Sequence, residues 1–504
     1  MKQKYDVIVI GAGNAGLSCA ATAAKGGLSV LVIERNPVPG GCATSIRRGR
    51  FEFEPSLHEL ANVGTAEAPG SIRKFFDGIG AEVEWCAEDT LFRVIADGEN
   101  GYDVTMPSGI DAFCDEMERI VPNSKDSVRK FFLCVEKVNR AIAYLSGGHV
   151  DPKVLATEHT DFMRLASHSV DEVLSALEMP KKAQDIIKTY WCYLGSPTDE
   201  LDFAHYGMMV ERYVKYKPGM PRLRSHELSL AIEKVIRDNG GELLYSTEVE
   251  KILVSDGRAI GVVAGGKEIY ADRVVANCFP DLAYSRLIDR ECVPESALRL
   301  CSAREIGMSF FTVYLGLNRS AEELGIKDYS VIFYGSADSR EQFDSCSDID
   351  GSMMIANCLN VVIPDSSPTG TCTLFLTTML TEEAWGDVSA ENYKSQKNRI
   401  AKRLIQDYER KLGIEIAPYI EEIVIAAPPT FARYLNTPNG TPYGYRLTPW
   451  DTMINRIMSL KNESPIKGLY FTGAHAERGD GYSSTYAHGS SVGGRILKEV
   501  KKNG

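Results

Sequence analysis

The chain has 504 residues, 44% of them apolar and 25% charged, with a net charge of −12. It is too long for one simple core, so two or three lobes are expected in a globular protein of ordinary composition. No lysine/arginine block is long enough to track a phosphate backbone, which argues against nucleic acid as a partner.

The chain opens on an apolar β-branched run, residues 7–10, that feeds directly into Gly11-Ala12-Gly13-Asn14-Ala15-Gly16. A small-residue helix pattern follows, and a second apolar run, residues 30–33, closes on Glu34 and Arg35. Each part has a mechanical job in binding a dinucleotide. Gly11 allows the tight turn, Gly13 lets the backbone approach a pyrophosphate, and Gly16 lets the helix pack on the strand. The helix N-terminus, with Ala15 in its first turn, offers unpaired N–H groups to the phosphates. Glu34 stands where an acid accepts hydrogen bonds from a ribose. Gly40-Gly41, then Cys42, lie in a proline-containing loop just beyond. A glycine doublet there favours FAD over NAD, with the loop passing the cofactor's phosphates and ribityl chain. Cys42 invites a redox reading, but the next cysteine is Cys86, so small-residue packing against the cofactor loop is expected.

Residues 110–218 read mostly as helix. Val128, Phe131, Phe132, Val135, Val138, Ile142 and Leu145 make one apolar face, and Ser169 with Glu172 is a capping box. This region is a candidate helical cap over a pocket. An amphipathic helix starts near Ser225 and stops at Asn239-Gly240-Gly241. Short strand-like runs follow at residues 242–245, 249–254 and 259–263, and residues 270–277, ending in Asn277, form another buried strand. Residues 293–424 alternate strand-like runs (310–317 and 372–380) with one helix around 393–412, the pattern of an antiparallel sheet wall.

The far end supplies a matching nucleotide-binding piece. Residues 468–473 read as a short strand ending in Gly473, followed by His475, Glu477, Arg478, Gly479 and Gly481, and then a small-residue helix. A second helix N-terminus beside a glycine-rich loop suits the ribityl chain and pyrimidine edge of a flavin.

The twelve cysteines stop at Cys372 and include no CxxC pair, so neither a metal site nor a disulfide framework is expected. No window reaches the length of a membrane span. A cytoplasmic protein with reduced thiols fits, with peripheral membrane contact left open.

These motifs carry a resemblance. The chain resembles the flavoprotein oxidoreductases that include phytoene desaturases, carotenoid isomerases and retinol saturases. The resemblance rests on the GAGNAG run with Glu34 and the Gly40-Gly41 doublet, residues 271–277 with Pro280, and residues 429–433 with Gly440 and Tyr443-Gly444-Tyr445. The last motif is residues 468–473 with Gly479 and Gly481. It implies an α/β fold with a Rossmann-type, glutathione reductase-like FAD-binding domain built from residues 1–85, 219–290 and 460–504. A mixed-sheet substrate domain (86–109 and 291–459) and the helical cap (110–218) complete it. FAD contacts are implied at Gly11, Gly13, Gly16, Glu34 and Gly41, with a backbone contact near Val249 on the adenine side and Gly473 near the ribityl chain. Ala15, Arg35, Cys42, Asn277, Gly481 and Tyr482 complete the candidate cofactor set. A lipid-like polyene is the usual family substrate. Departures stand out: Glu54 and Ser56 replace a family aspartate and glycine, Leu223-Arg224 replaces a glycine pair, and His475, Glu477 and Arg478 stand where many members have small residues.

Flavin chemistry needs orientation, electrostatics and a proton carrier from the protein. His475 or Tyr482 is the candidate acid/base, Arg478 the candidate anchor for an anionic or carbonyl group, and His58, beside Glu59, the next candidate. Tyr443, Tyr445 and Arg446 are candidate pocket walls. One dinucleotide fingerprint implies that NAD(P)H would enter the substrate pocket, or that another carrier supplies electrons. The reading is an oxidoreductase acting on carbon–carbon double bonds of an apolar or conjugated small molecule. An amine-oxidase-like flavoenzyme and a non-catalytic lipid escort protein are the alternatives. Oligomeric state is not encoded in these patterns.

Overall fold

The computed structural model describes residues 4–146, 150–460, 464–476, 479 and 481–503. Two seven-stranded sheets organise it. In the first, strand Lys4–Ile10 runs parallel to Val30–Ile33 on one side and to Lys267–Ala276 on the other. Glu242–Leu244 and Leu469–Phe471 extend this parallel core outward at its two edges. The first half of Lys267–Ala276 also pairs antiparallel with Arg258–Ala264, which pairs in turn with Val249–Ser255. One Rossmann-type sheet is therefore assembled from three distant stretches of chain. All four residues of Val30–Ile33 are buried, as expected for a parallel strand covered on both faces.

The second sheet runs in the order Ile420–Ala426, Ser309–Leu317, Cys372–Leu380, Met354–Cys358, Ser330–Tyr334, Thr90–Ala96, Tyr102–Pro107. The pair Ser330–Tyr334 and Thr90–Ala96 is parallel and the rest are antiparallel, so the sheet is mixed. An alternating pattern alone does not reveal that parallel join, because the two strands come from segments over two hundred residues apart in the chain.

Helices Ile110–Ile120, Lys125–Ser146 and Phe203–Lys215 dominate the region between the first and second substrate-domain segments. Val128, Phe131, Phe132, Val135 and Val138 face inward as their spacing implies. They share one hydrophobic cluster with Leu91, Val94, Ile332 and Ile355 of the second sheet. The helical region is thus fused to the sheet by a common core. Ion pairs reinforce the join, with Arg340 on Asp199 and Glu200 (2.7 Å each) and Arg446 on Glu200. Among the described residues no helix is long and apolar enough to cross a membrane.

The chain ends meet through two helices, Asn14–Lys25 and Tyr482–Asn503. A Cβ on Gly489 would stand 2.1 Å from the Ala15 carbonyl oxygen, and one on Gly493 would stand 2.8 Å from that of Cys19. Only glycine permits backbones to approach so closely. Gly489→Val should therefore cost at least about 1–3 kcal/mol through overpacking. Gly494→Ala, one step past the contact with nothing within 4 Å, should be neutral or gain about 0.5–1 kcal/mol from helix propensity. Thermal unfolding of the two variants checks the contrast; equal effects would show that the helices are not in backbone contact.

Candidate active site

The fingerprint turn is shaped by contacts that the motif alone does not display. Gly40 N–H donates to the Ala12 carbonyl (2.7 Å), and Gly13 and Gly40 form a parallel bridge. The glycine doublet therefore folds directly onto the phosphate loop. Gly40 has φ +124°, and a Cβ there would overlap the Ala43 carbonyl. Gly16 is fixed by the Gly11 carbonyl, 2.1 Å from where its Cβ would lie. Asn277, at the end of the third parallel strand, lies against the same turn. Its side-chain oxygen accepts from the Gly13 and Gly16 N–H groups (3.2 and 3.3 Å), while its nitrogen donates to the Thr472 carbonyl (3.0 Å). Asn277 thus ties the first strand's turn to the C-terminal strand, a positioning role.

Helix Asn14–Lys25 begins at Gly13 with no side-chain cap and no acid in its first turn. Its N-terminus faces a cavity of about 970 Å³, lined by Gly13, Asn14 and Ala15 on one side and by Gly481, Tyr482 and Ser483 on the other. Ligand pockets run to roughly 300–1,000 Å³, so this one suits a large ligand. Beyond the Gly13 and Gly16 N–H groups that Asn277 takes, the first turn of a helix presents further backbone amides to an anion. Glu34, 6% exposed, accepts from the Ala12 N–H (2.8 Å) and the Asn36 N–H (2.7 Å). A carboxylate has about four lone-pair sites, so acceptors remain for a ribose. The donor set fits a dinucleotide.

The other expected cofactor residues fall around this frame. Arg35 reaches the Arg433 carbonyl and Asn36 the Tyr434 carbonyl (3.3 Å), pinning helix Pro428–Leu435 to the nucleotide domain. Val249 is buried among Ile8, Ile10 and Leu31 behind the sheet. Gly41 has φ +61°, and a Cβ there would stand 3.3 Å from the Gly13 Cα. Cys42 lines the cavity, and burial pushes its thiol up to about 11, so it is held as a neutral thiol. All twelve cysteines are free. Gly473 (φ +136°) is confined by the His475 ring, 2.8 Å from its notional Cβ, and Gly481 has φ +86°.

Of the acid/base candidates, Tyr482 and Ser56 share a hydrogen bond (3.0 Å), and the Ser56 hydroxyl donates on to the Cys42 carbonyl (3.2 Å). That chain links the C-terminal helix to the loop after the doublet. Desolvation and the nearby Glu54 and Cys42 raise the Tyr482 phenol well above its ordinary value. His475 is buried between Phe279 and Phe471, its Nε2 without a hydrogen-bond partner. Burial, then His488 and Arg304, push it down to about 3. His58 packs on Phe375 and Tyr193, and burial pushes it down to about 4. Both histidines are neutral near pH 7. Arg478 lies outside the described residues. Tyr443 lines the main cavity and donates to the Cys192 carbonyl (2.7 Å). Tyr445 instead lines a neighbouring cavity and donates to Asp281, and Arg446 is spent on its ion pairs.

The NAD(P)-binding Rossmann-like domain family matches residues 9–77. The chain is 26% identical over 512 residues to all-trans-retinol 13,14-reductase from Homo sapiens, covering 94% of this chain and 82% of that protein. It is 22% identical over 519 residues to a chloroplastic prolycopene isomerase from Daucus carota, covering 99% and 81%. Among solved structures, an oxidoreductase from Methanosarcina mazei aligns with a TM-score of 0.64 at 18% identity, over 97% of this chain and 99% of that one. Cyclohexylamine oxidase from Brevibacterium oxydans aligns with a TM-score of 0.62 at 15% identity, over 99% of both chains. The chain is a homologue of the retinol reductases and prolycopene isomerases. It has the Rossmann-like fold of flavin-type oxidoreductases, and it is an enzyme.

In this homologue the departures from the family pattern have structural reasons. Glu54, 2% exposed, accepts from Ser56 N–H (3.2 Å), Leu57 N–H (2.9 Å), Ser225 N–H (2.8 Å) and the Ser225 hydroxyl (2.8 Å). It thereby caps helix Ser225–Asp238, which lacks a cap of its own. Arg224 occupies a left-handed position (φ +67°) where glycine would be unstrained, and is held by Glu52 (2.9 Å) and the Ser366 carbonyl (3.1 Å).

Sequence reasoning missed two groups that line or back the cavity. One is Glu59 with Glu88, each 3% exposed. The other is the Asp202–His205 pair (2.6 Å), whose His205 lines the cavity from helix Phe203–Lys215. Asp-x-x-His at a helix start was the available signal for His205, whereas no sequence pattern marks Glu59.

His58 and His475 yield a pH prediction. Unfolded histidines bind protons below about 6.5, whereas these two do so only below about 4 and about 3. The unfolded chain carries more protons across that window, so stability falls as pH is lowered through it. Urea midpoints should drop between pH 7 and pH 4, and drop less in a His58→Asn/His475→Asn double variant. Parallel pH profiles would assign the loss to other groups.

Proposed function

We propose that this enzyme holds one FAD non-covalently between its two terminal segments. On this reading it adds or removes hydrogen across, or isomerises, a carbon–carbon double bond in a conjugated, lipid-like or enone molecule. One observation carries the reading. Two helix N-termini converge on a single cavity whose remaining walls are largely apolar, including Ile142, Leu145, Leu194, Met208, Phe310 and Ile355. The phosphate end is electropositive through backbone amides, and the opposite end suits a hydrocarbon.

When bound, FAD would supply hydride exchange. Gly13, Asn14, Ala15 and Glu34 would hold its phosphates and ribose, and the start of helix Tyr482–Asn503 its flavin end. The chain's own contribution is to orient the substrate, exclude water and carry a proton. The Tyr482–Ser56 pair and the neutral rings of His58 and His475 bear that last part. The printed activities of the relatives, retinol 13,14-reduction and prolycopene isomerisation, support a polyene substrate. With one fingerprint in the chain, NAD(P)H would enter the substrate cavity or another carrier would deliver electrons.

The purified protein should be yellow, or become so with FAD, and release intact FAD on acid precipitation. Gly13→Val should lose the cofactor, because its side chain would meet Asn277 in the phosphate turn. Anaerobic titration with retinoids, carotenoids and enones should bleach the oxidised flavin, or reoxidise a chemically reduced one. Ammonia release from simple amines with no response to polyenes would favour the amine-oxidase reading, to which the cyclohexylamine oxidase likeness lends support. A preparation colourless after added FAD would overturn both.

A further inference from the structure

We propose that the second cavity, beside the main one, is a binding site for a small monocarboxylate with a short apolar tail, its carboxylate held by Arg304. Arg304 lines this cavity and not the main one.

The argument begins with a count of buried charge. Arg304 lies just past helix Glu295–Ser302, and its side chain is 4% exposed. Arg456 and Asp451, packed with it, are 1% and 3% exposed. Asp451 accepts from the Arg456 Nη2 at 2.8 Å, and the same nitrogen donates to the Tyr445 and Arg446 carbonyls (3.0 and 3.3 Å). Arg304 stands farther off. Its Nε is 3.6 Å from Asp451, too long for a hydrogen bond. Two guanidiniums thus share one carboxylate, and among the described residues one buried positive charge has no acid of its own. Asp281, the other acid nearby, accepts from the Tyr445 hydroxyl and forms no ion pair among the described residues. The remaining groups carry no charge near pH 7. Tyr445 lies with its ring 5.0 Å from the Arg304 guanidinium, burial pushes the Cys301 thiol up to about 11, and His475 is pushed down to about 3. A buried cation is costly until an anion joins it.

The shape of the cavity says which anion. Its volume is about 280 Å³, just under the usual range of ligand pockets, so it suits a molecule of a few carbons. The Arg304 Nε is sealed in protein without a hydrogen bond. The two terminal nitrogens are not sealed, and among the described residues they make no hydrogen bond either. Those nitrogens form a planar fork that matches a carboxylate. Pro280, Leu300, Pro465 and Phe471 supply apolar wall for a tail, and Ser296, on the exposed side of helix Glu295–Ser302, stands at the mouth.

One residue joins this site to the main cavity. His475 lines both, and the Arg304 charge helps hold its ring neutral. An anion that neutralises Arg304 therefore acts on a wall of the main cavity.

The test titrates the full-length protein, with its cofactor, calorimetrically at pH 7 and fixed ionic strength. Butyrate, butyramide and inorganic phosphate are the probes. Butyrate should bind with a Kd of about 1 mM or below. Butyramide has the same shape without the charge and should bind at least about tenfold more weakly, the span of one hydrogen bond to a charged group. Phosphate leaves the apolar wall empty and should also bind more weakly than butyrate. Arg304→Met should weaken butyrate by at least the same factor. Ser296→Phe, which closes the mouth from an exposed position and leaves Arg304 in place, should do so too, so the test does not depend on one variant folding. Glu477 follows the cavity-lining Ala476 in sequence and lies outside the described residues, so Glu477→Gln is titrated alongside. Butyrate binding seen only in that variant would assign the anion to the chain itself and overturn the proposal. No butyrate binding by wild type, binding untouched by both Arg304→Met and Ser296→Phe, or a preference for butyramide or phosphate would overturn it as well. None of these readouts uses polyene turnover, so failure here leaves the flavin reading standing.

Discussion

The architecture depends on one contact, the approach of two backbones at Gly489 against Ala15 and Gly493 against Cys19. Helix Asn14–Lys25 carries the phosphate loop and helix Tyr482–Asn503 carries the far wall of the cavity. Their small-residue faces set how closely the two N-termini converge. A methyl group at Gly489 would push the C-terminal helix off the first, since both atoms it meets at 2.1 Å belong to that helix. The sheet order adds the same constraint from beneath. Strand Leu469–Phe471 docks on Lys267–Ala276, which docks on Lys4–Ile10. Asn277 then reaches from the middle strand to the turns at the ends of both its neighbours. Site geometry is thus fixed by rigid elements that are nearly five hundred residues apart in the chain.

Electrostatically, the cavity is built from dipoles and neutral groups more than from charges. The fingerprint helix offers unopposed N–H groups, with no acid in its first turn. His58 and His475 are kept neutral by burial, Cys42 is kept as a thiol, and Tyr482 as a phenol. Such a site favours a ligand anionic at one end and apolar at the other.

What was legible in the sequence was what short-range geometry dictates. Gly11, Gly13 and Gly16 announce a turn because each serves a local steric need, and Glu34 follows at strand length. Helix Ser225–Asp238 ends where its Asn-Gly-Gly stop signal places it. The reason for Gly40 was not legible, because its partner is the phosphate loop itself, reached only after folding. Glu54 read as a departure from a family motif. Its function, capping a helix that starts 171 residues later, is visible only in three dimensions. The mixed character of the second sheet was hidden for the same reason.

Glu59 and Glu88 show where sequence patterns fail most completely. Glu59 follows a histidine and Glu88 precedes Asp89, and nothing in either neighbourhood predicts that the two would both be buried. Burial of an acid is normally explained by a cation or a helix N-terminus, as Glu54 illustrates at Ser225. Among the described residues Glu59 has neither, and its two tyrosine donors occupy one oxygen only. A fold tolerates such a cost when the group remains neutral or when function requires it. For Glu59 the first condition holds, since burial raises its carboxyl above the usual range, and the neighbouring His58 is held neutral by the same desolvation.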